Sequence, residues 1–126
     1  MVCDSNILIY AAEPGDVLCR PFVESADATI ASVTRIEVLG FPRFSILSSE
    51  QQGRLHVIVA STIEVPLDDE IIRCAITLRQ QRKMSLADSI IAATALEYGV
   101  PLISRNEEDF KHIVGLDLRN PFAAIS

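Results

Sequence analysis

Several things are missing from this chain. It has no tryptophan, and aromatic residues make up only 6% of it. No run of about 18 apolar residues is available to span a bilayer. The opening Met1, Val2, Cys3 and Asp4 lack the charged-then-apolar order of a secretory signal. There are three cysteines, Cys3, Cys19 and Cys74, an odd number without CxxC spacing. Cys3 and Cys74 sit among apolar residues and read as small buried hydrophobes, so a reduced, cytoplasmic setting is expected. Gly/Ser linkers, low-complexity runs and internal repeats are also lacking. So is a surplus of positive charge: the net charge is −6 and the pI about 4.8. Nucleic-acid binders usually carry a basic surface. Either the acids cluster at a metal site whose cations invert the local field, or the protein does not bind nucleic acid.

What is present suits one domain over residues 1–126, with 49% apolar and 22% charged residues. Short apolar runs predict strands at Val2–Asp4, Thr29–Ser32, Thr62–Pro66 and Pro101–Ser104, with a weaker fifth at Val114–Leu118. Helical periodicity follows Ser32 to about Phe44, where Pro42 kinks or ends it. It returns after Ser48 or Ser49, after Asp68, and from Ser85 to Tyr98, where Gly99 closes the helix. Strands alternating with helices predict an α/β three-layer sandwich: a parallel sheet of four or five strands flanked by helices. Such sheets place their chemistry outside the carboxyl ends of the strands.

Three acids fall near those ends. Asp4 closes the first strand, where it can face the crevice or cap the helix from Asn6 to Ala11. Asn6 is equally ambiguous, as a cap or as an orienter of the acid. Glu37 lies among apolar residues five positions past the second strand. It can enter the site, lie on a solvated face beside Arg35, or close a capping box with Thr34. Asp88 stands three residues after Ser85, an approximate capping box. Alanines at 87, 92, 93 and 95 let its helix approach the sheet closely. Each acid alone has an ordinary structural explanation. Converging on one spot they would repel, unless a divalent cation offsets the charge. Oxygen ligands suit Mg²⁺ or Mn²⁺.

A fourth polar stretch, Ser104, Arg105, Asn106, Glu107, Glu108 and Asp109, follows the fourth strand. It reads equally as a site loop and as a helix start favoured by its acids. Arg79, Arg82, Lys83 and Arg105, with Arg35 and Arg43, can rim the acidic centre or simply be solvated charges. His56 and His112 match no metal-ligand spacing. No aromatic stacking platform is expected from two tyrosines and five phenylalanines.

The stretches VCDSNILIYAAE, TRIEVLGF and LADSIIAATALEYGVPLISRNEEDF, in that order, resemble the PIN-domain proteins of the VapC-type toxin ribonuclease group. The likeness runs from residue 2 to about 122, and its third stretch is the most specific. It implies a PIN-like fold, dependence on Mg²⁺ or Mn²⁺, and endoribonuclease activity. The family's three acids fall on Asp4, Glu37 and Asp88, and its frequent asparagine on Asn6. Its usual threonine is Ser5 here, and its later hydroxyl is Ser104. Where the fullest pattern has a fourth acid this chain has Asn106, which brings no negative charge. Asp109, one helical turn on, can supply the charge instead, so one metal is expected and a second depends on that choice. The resemblance also implies an RNA substrate, a homodimer and a cognate antitoxin. The contact region is expected within residues 5–60, including Ile7, Leu8, Phe41, Phe44 and Leu47. A PIN-like RNA- or protein-binding regulatory module that has lost cleavage is the alternative. A phosphoacceptor domain with Asp4 as nucleophile would need paired acids at the first strand and a later lysine, which are lacking.

Overall fold

The computed structural model describes residues 1–123. Five strands, β1 (Val2–Cys3), β2 (Thr29–Ala31), β3 (Ile63–Val65), β4 (Leu102–Ile103) and β5 (Leu118–Arg119), form one sheet. Its order is β3-β2-β1-β4-β5 and every pairing is parallel. The chain adds β2 and β3 on one side of β1, then β4 and β5 on the other. The reversal puts a crevice between the ends of β1 and β4, where such sheets bind ligands.

Alternation along the strands separates two cores. Val2, Ala31 and Leu102 face one, with residues of α5 (Asp69–Gln81) and α6 (Leu86–Tyr98) and with Phe110 of α7 (Glu107–Phe110). Cys3, Ile30 and Ile103 face the other. There they meet α1 (Ser5–Ala11), α2 (Arg20–Val23), α3 (Ser32–Gly40) and α4 (Ser49–Ser61). Helices on both faces of a parallel sheet are the three-layer sandwich expected from sequence. Among the described residues no helix is long and apolar enough to cross a membrane.

The helices differ in how they are buried. Along α5, Ile71, Ala75 and Leu78 are buried and the residues between them largely exposed, the stripe of an ordinary surface helix. In α6 every residue from Ser89 to Ala95 is buried. The small residues in that run let the helix lie close to β1, β2, α3 and α5 at once. Ser85 caps it by accepting from Asp88 N–H at 3.1 Å, and Gly99 ends it in the left-handed region at φ +63°.

Several expected boundaries move. Helix α3 stops at Gly40 instead of reaching Phe44, because Phe41 precedes Pro42 and turns extended. Ser32 lies within α3 and does not cap it; its hydroxyl donates to Glu64 at 2.8 Å. The last strand is Leu118–Arg119, not Val114–Leu118, since Val114 is exposed in a turn with Gly115 at φ +85°. Helix α2 was not anticipated; at four residues it is too short for periodicity, and Asp16 starts it by accepting from the Cys19 and Arg20 amides. Cys74 is only half-buried, unlike Cys3.

The close seating of α6 has a measurable consequence. Replacing the fully buried Ala93 by leucine should destabilise the fold by about 1–3 kcal/mol through overpacking. Urea unfolding followed by circular dichroism measures this. An unchanged midpoint would show that the helix has room to move.

Candidate metal and nuclease site

Asp4 leaves β1 and starts α1. Its Oδ1 caps the helix, accepting from Ile7 N–H at 3.2 Å, so the capping explanation is true of one oxygen. The other, Oδ2, accepts from the Ser104 hydroxyl at 2.5 Å. Ser104 follows β4, so this bond bridges the crevice between β1 and β4. Asp4 is 6% exposed and Ser104 is fully buried.

Glu37 is half-buried on α3. It accepts from the Ser5 hydroxyl at 2.5 Å, which directs its carboxylate toward the first turn of α1. The capping box with Thr34 does not form, and the Thr34 hydroxyl is buried without a hydrogen-bond partner. Arg35 does not screen Glu37 either, because its guanidinium pairs with Glu64 at 2.7 Å.

Asp88 reaches the same place from the first turn of α6. Asp4, Ser5, Asn6, Glu37, Asp88, Ile91, Asn106 and Phe110 line one cleft of about 100 Å³. The structure thus brings together Asp4, Glu37, Asp88, Asn106 and Asn6, with Ser104 holding Asp4 from behind. Asp109 is different: it lines a larger neighbouring cavity of about 430 Å³ with Arg82, Lys83, Ser85, Asp88, Glu108 and His112. The Asn106 amide donates to the Asp109 carboxylate at 2.5 Å, so the two residues that could replace a fourth acid are joined. Asn106 does not cap α7 with its side chain.

Electrostatics mark the cleft as costly. Burial raises the Asp4 pKa above the ordinary carboxylate range; the Ser104 hydrogen bond opposes this and the Glu37 charge adds to it. Burial likewise pushes Asp88 up to about 6, with Asp109 and Asp4 contributing. Among the described residues no group of three or more His, Cys, Asp or Glu side chains is arranged to hold a metal ion. Ser104, Ser5 and Asn106 hold the carboxylates of Asp4, Glu37 and Asp109 respectively. The donor chemistry fits a hard cation all the same: carboxylate, amide and hydroxyl oxygens converge where negative charge has too little solvent.

His56 is exposed and meets Phe44 edge-on at 5.7 Å, while both His112 ring nitrogens are buried without a hydrogen-bond partner. Neither enters the cleft. Ile7 and Leu8, expected at a partner interface, are completely buried core residues. An unexpected aromatic group does form: Tyr10 and Phe122 meet edge-on at 5.3 Å, with the Arg105 guanidinium over both. Sequence separation hid it.

The raised Asp88 pKa fixes the sign of a pH effect. Between the ordinary value of 3.8 and about 6 the unfolded chain gives up this proton before the folded one does. The Asp88 contribution to stability in the metal-free protein therefore falls through that window as pH rises, and the fall is complete above about 6. Asp88→Asn should gain stability relative to wild type across the window, level off above it, and show the difference in urea midpoints measured in EDTA. A difference independent of pH would contradict this.

Comparison with known proteins agrees with the geometry. The PIN-domain sequence profile matches residues 1–116. None of the curated proteins matches in sequence. Among solved structures, a toxin–antitoxin complex from Klebsiella pneumoniae is similar at 28% identity, covering 95% of this chain and 96% of its counterpart, with a TM-score of 0.77. The VapBC2 complex of Rickettsia felis, bound to a promoter DNA fragment, has the same fold at 18% identity, 94% and 96% coverage and a TM-score of 0.77. VapBC from Salmonella typhimurium, also DNA-bound, aligns at 17% identity over 95% and 96%, with a TM-score of 0.75. A profile match over most of the length, on a fold that gathers the motif acids at one cleft, makes this chain a member of the PIN-domain family.

Proposed function

We propose that the protein is a toxin-type PIN nuclease: an endoribonuclease that hydrolyses RNA phosphodiesters with Mg²⁺ or Mn²⁺ held by Asp4, Glu37 and Asp88. The observation that carries this reading is the convergence of those three carboxylates, with Asn106, on the cleft at the β1/β4 reversal. When bound, the cation supplies polarisation of the phosphodiester and a lower pKa for the attacking water.

The chain's own residues supply the rest. The Ser104 hydroxyl fixes Asp4 Oδ2 and the Ser5 hydroxyl fixes Glu37 Oε1. One of the three carboxylates, released from direct ligation of the cation, would act as the general base toward the attacking water. Asn6 and Asn106 present amides to water or phosphate within the cleft. Asp109, which accepts from Asn106 and lines the neighbouring cavity, would support the ion less directly than Asp88.

The toxin–antitoxin relative from Klebsiella pneumoniae supports a cognate antitoxin as partner. A cytoplasmic location and a homodimer belong to the same reading and rest on the sequence alone. The second reading is a regulatory module that binds without cleaving. Asn106 favours it, standing where the fullest motif carries an acid.

Metal titration separates the two readings. Mn²⁺ should raise the melting temperature of the wild type and leave Asp4→Asn nearly unchanged, with Asp109→Asn intermediate. RNA cleavage should fall by more than about a hundredfold in Asp4→Asn, which keeps a capping side chain and so should still fold. Undiminished cleavage by Asp4→Asn at saturating Mn²⁺ would overturn the assignment. A wild type that binds RNA and never cuts it would favour the second reading.

A further inference from the structure

The chain carries 11 lysines and arginines against 17 acids. Six of those cations, Arg20, Arg35, Arg54, Arg73, Lys111 and Arg119, lie within 4.0 Å of a carboxylate. Among the described residues Arg43, Arg79, Arg82, Lys83 and Arg105 form no such pair. Arg82 and Lys83 line the cavity beside Asp88, and Arg79 points to the carbonyl oxygen of Met84 in the same wall. Arg105 sits between Ser104, which holds Asp4, and Asn106, which lines the cleft. Three of the five cations without a carboxylate partner, Arg82, Lys83 and Arg105, thus flank the acidic centre, while Arg79 lines a separate apolar groove.

Arg105 differs from the other two in how it is held. Its Cζ lies 4.2 Å from the Phe122 ring centroid and 5.5 Å from that of Tyr10, so the guanidinium rests against aromatic surface. Its Nη1 donates to the Tyr10 hydroxyl at 3.4 Å, and its carbonyl oxygen accepts from the Asn120 amide at 3.5 Å. Tyr10 belongs to the helix that Asp4 caps, which ties the stack to the cleft from both sides. The side chain is exposed, and Nη1 is the only guanidinium nitrogen with a hydrogen-bond acceptor among the described residues. A guanidinium held by stacking, with its other N–H groups free, is a preorganised phosphate fork.

We propose that Arg105 is a substrate-binding residue that takes a backbone phosphate of single-stranded RNA beside the carboxylate cleft, with Phe122 and Tyr10 as its positioning residues. The inference rests on the nuclease reading and extends it by naming where a strongly acidic protein grips an anionic strand. Arg105 acts on substrate hold; the carboxylates act on cleavage.

The test is fluorescence anisotropy of a labelled single-stranded RNA oligonucleotide in EDTA, where no cleavage occurs, at several salt concentrations. Arg105→Ala should weaken binding by roughly tenfold and reduce the magnitude of the log–log salt slope by about 0.7, the value of one phosphate contact on a single strand. Arg105→Lys should restore the slope but only part of the affinity, because the charge returns without the planar fork. Phe122→Leu should weaken binding while leaving the slope unchanged. Arg43→Ala, a cation remote from the stack in sequence and not lining the cleft, serves as the control and should bind as wild type. Equal affinity and slope for wild type and Arg105→Ala would overturn the proposal and leave the nuclease reading standing. A wild type that neither binds the RNA in EDTA nor cuts it with Mn²⁺ would overturn both.

Discussion

The hydroxyl of Ser104 and the carboxylate of Asp4 meet across the line where the sheet reverses its order of growth. Every other feature of the cleft is placed relative to that bond. It joins the carboxyl ends of β1 and β4, which touch as neighbouring strands though far apart in sequence. The other oxygen of Asp4 starts α1, whose first residue, Ser5, holds Glu37. Ser104 also accepts from the Asn106 amide N–H at 3.0 Å, setting the entrance to α7. One buried carboxylate therefore connects two strands and, through its neighbours, three helices. Its protonated form is favoured by burial, yet its hydrogen bonds are those of an anion. That tension is relieved by added positive charge, which is the physical basis for reading the cleft as a metal site.

The helices and the parallel sheet were legible because their signals are local: apolar periodicity, a serine cap, a closing glycine. Local signals also account for the misplacements. Val114 looked like part of a strand by composition, but a nearby left-handed glycine turns the chain before the sheet resumes at Leu118. Helix α3 ended early because Pro42 acts on the residue before it. For the acids, sequence offered two or three explanations each, and the structure did not simply choose one. Asp4 is both cap and cleft residue, and Asp88 is both capped and in the cleft. Only Glu37 was resolved outright, because its partner Ser5 lies on another element. The same blindness to distant partners hid the stack of Arg105 on Phe122.

Net charge was the strongest objection to a nucleic-acid substrate, and the distribution of ion pairs answers part of it. Total charge counts residues; an approaching strand meets the local field of those not already neutralised. Away from the cleft several acids have an arginine or lysine close by, as Glu24, Glu50, Glu64, Asp69 and Asp117 do. The acidic excess is thereby muted at those places, while Arg82, Lys83 and Arg105, without carboxylate partners, lie beside the cleft. A divalent ion in the cleft would complete that pattern rather than create it.

The seven consecutive buried residues of α6 leave that helix no freedom to turn or slide without opening the core around it. Asp88 stands immediately before them, so its backbone is anchored by the buried run. Any movement of Asp88 toward an ion must then come from side-chain rotation. Such rotations belong to the picosecond–nanosecond range, far from the microsecond–millisecond range of backbone closure. The cleft is in that sense a rigid socket with mobile contacts, and its speed of loading would be set by the arrival of the ion and the shedding of its water.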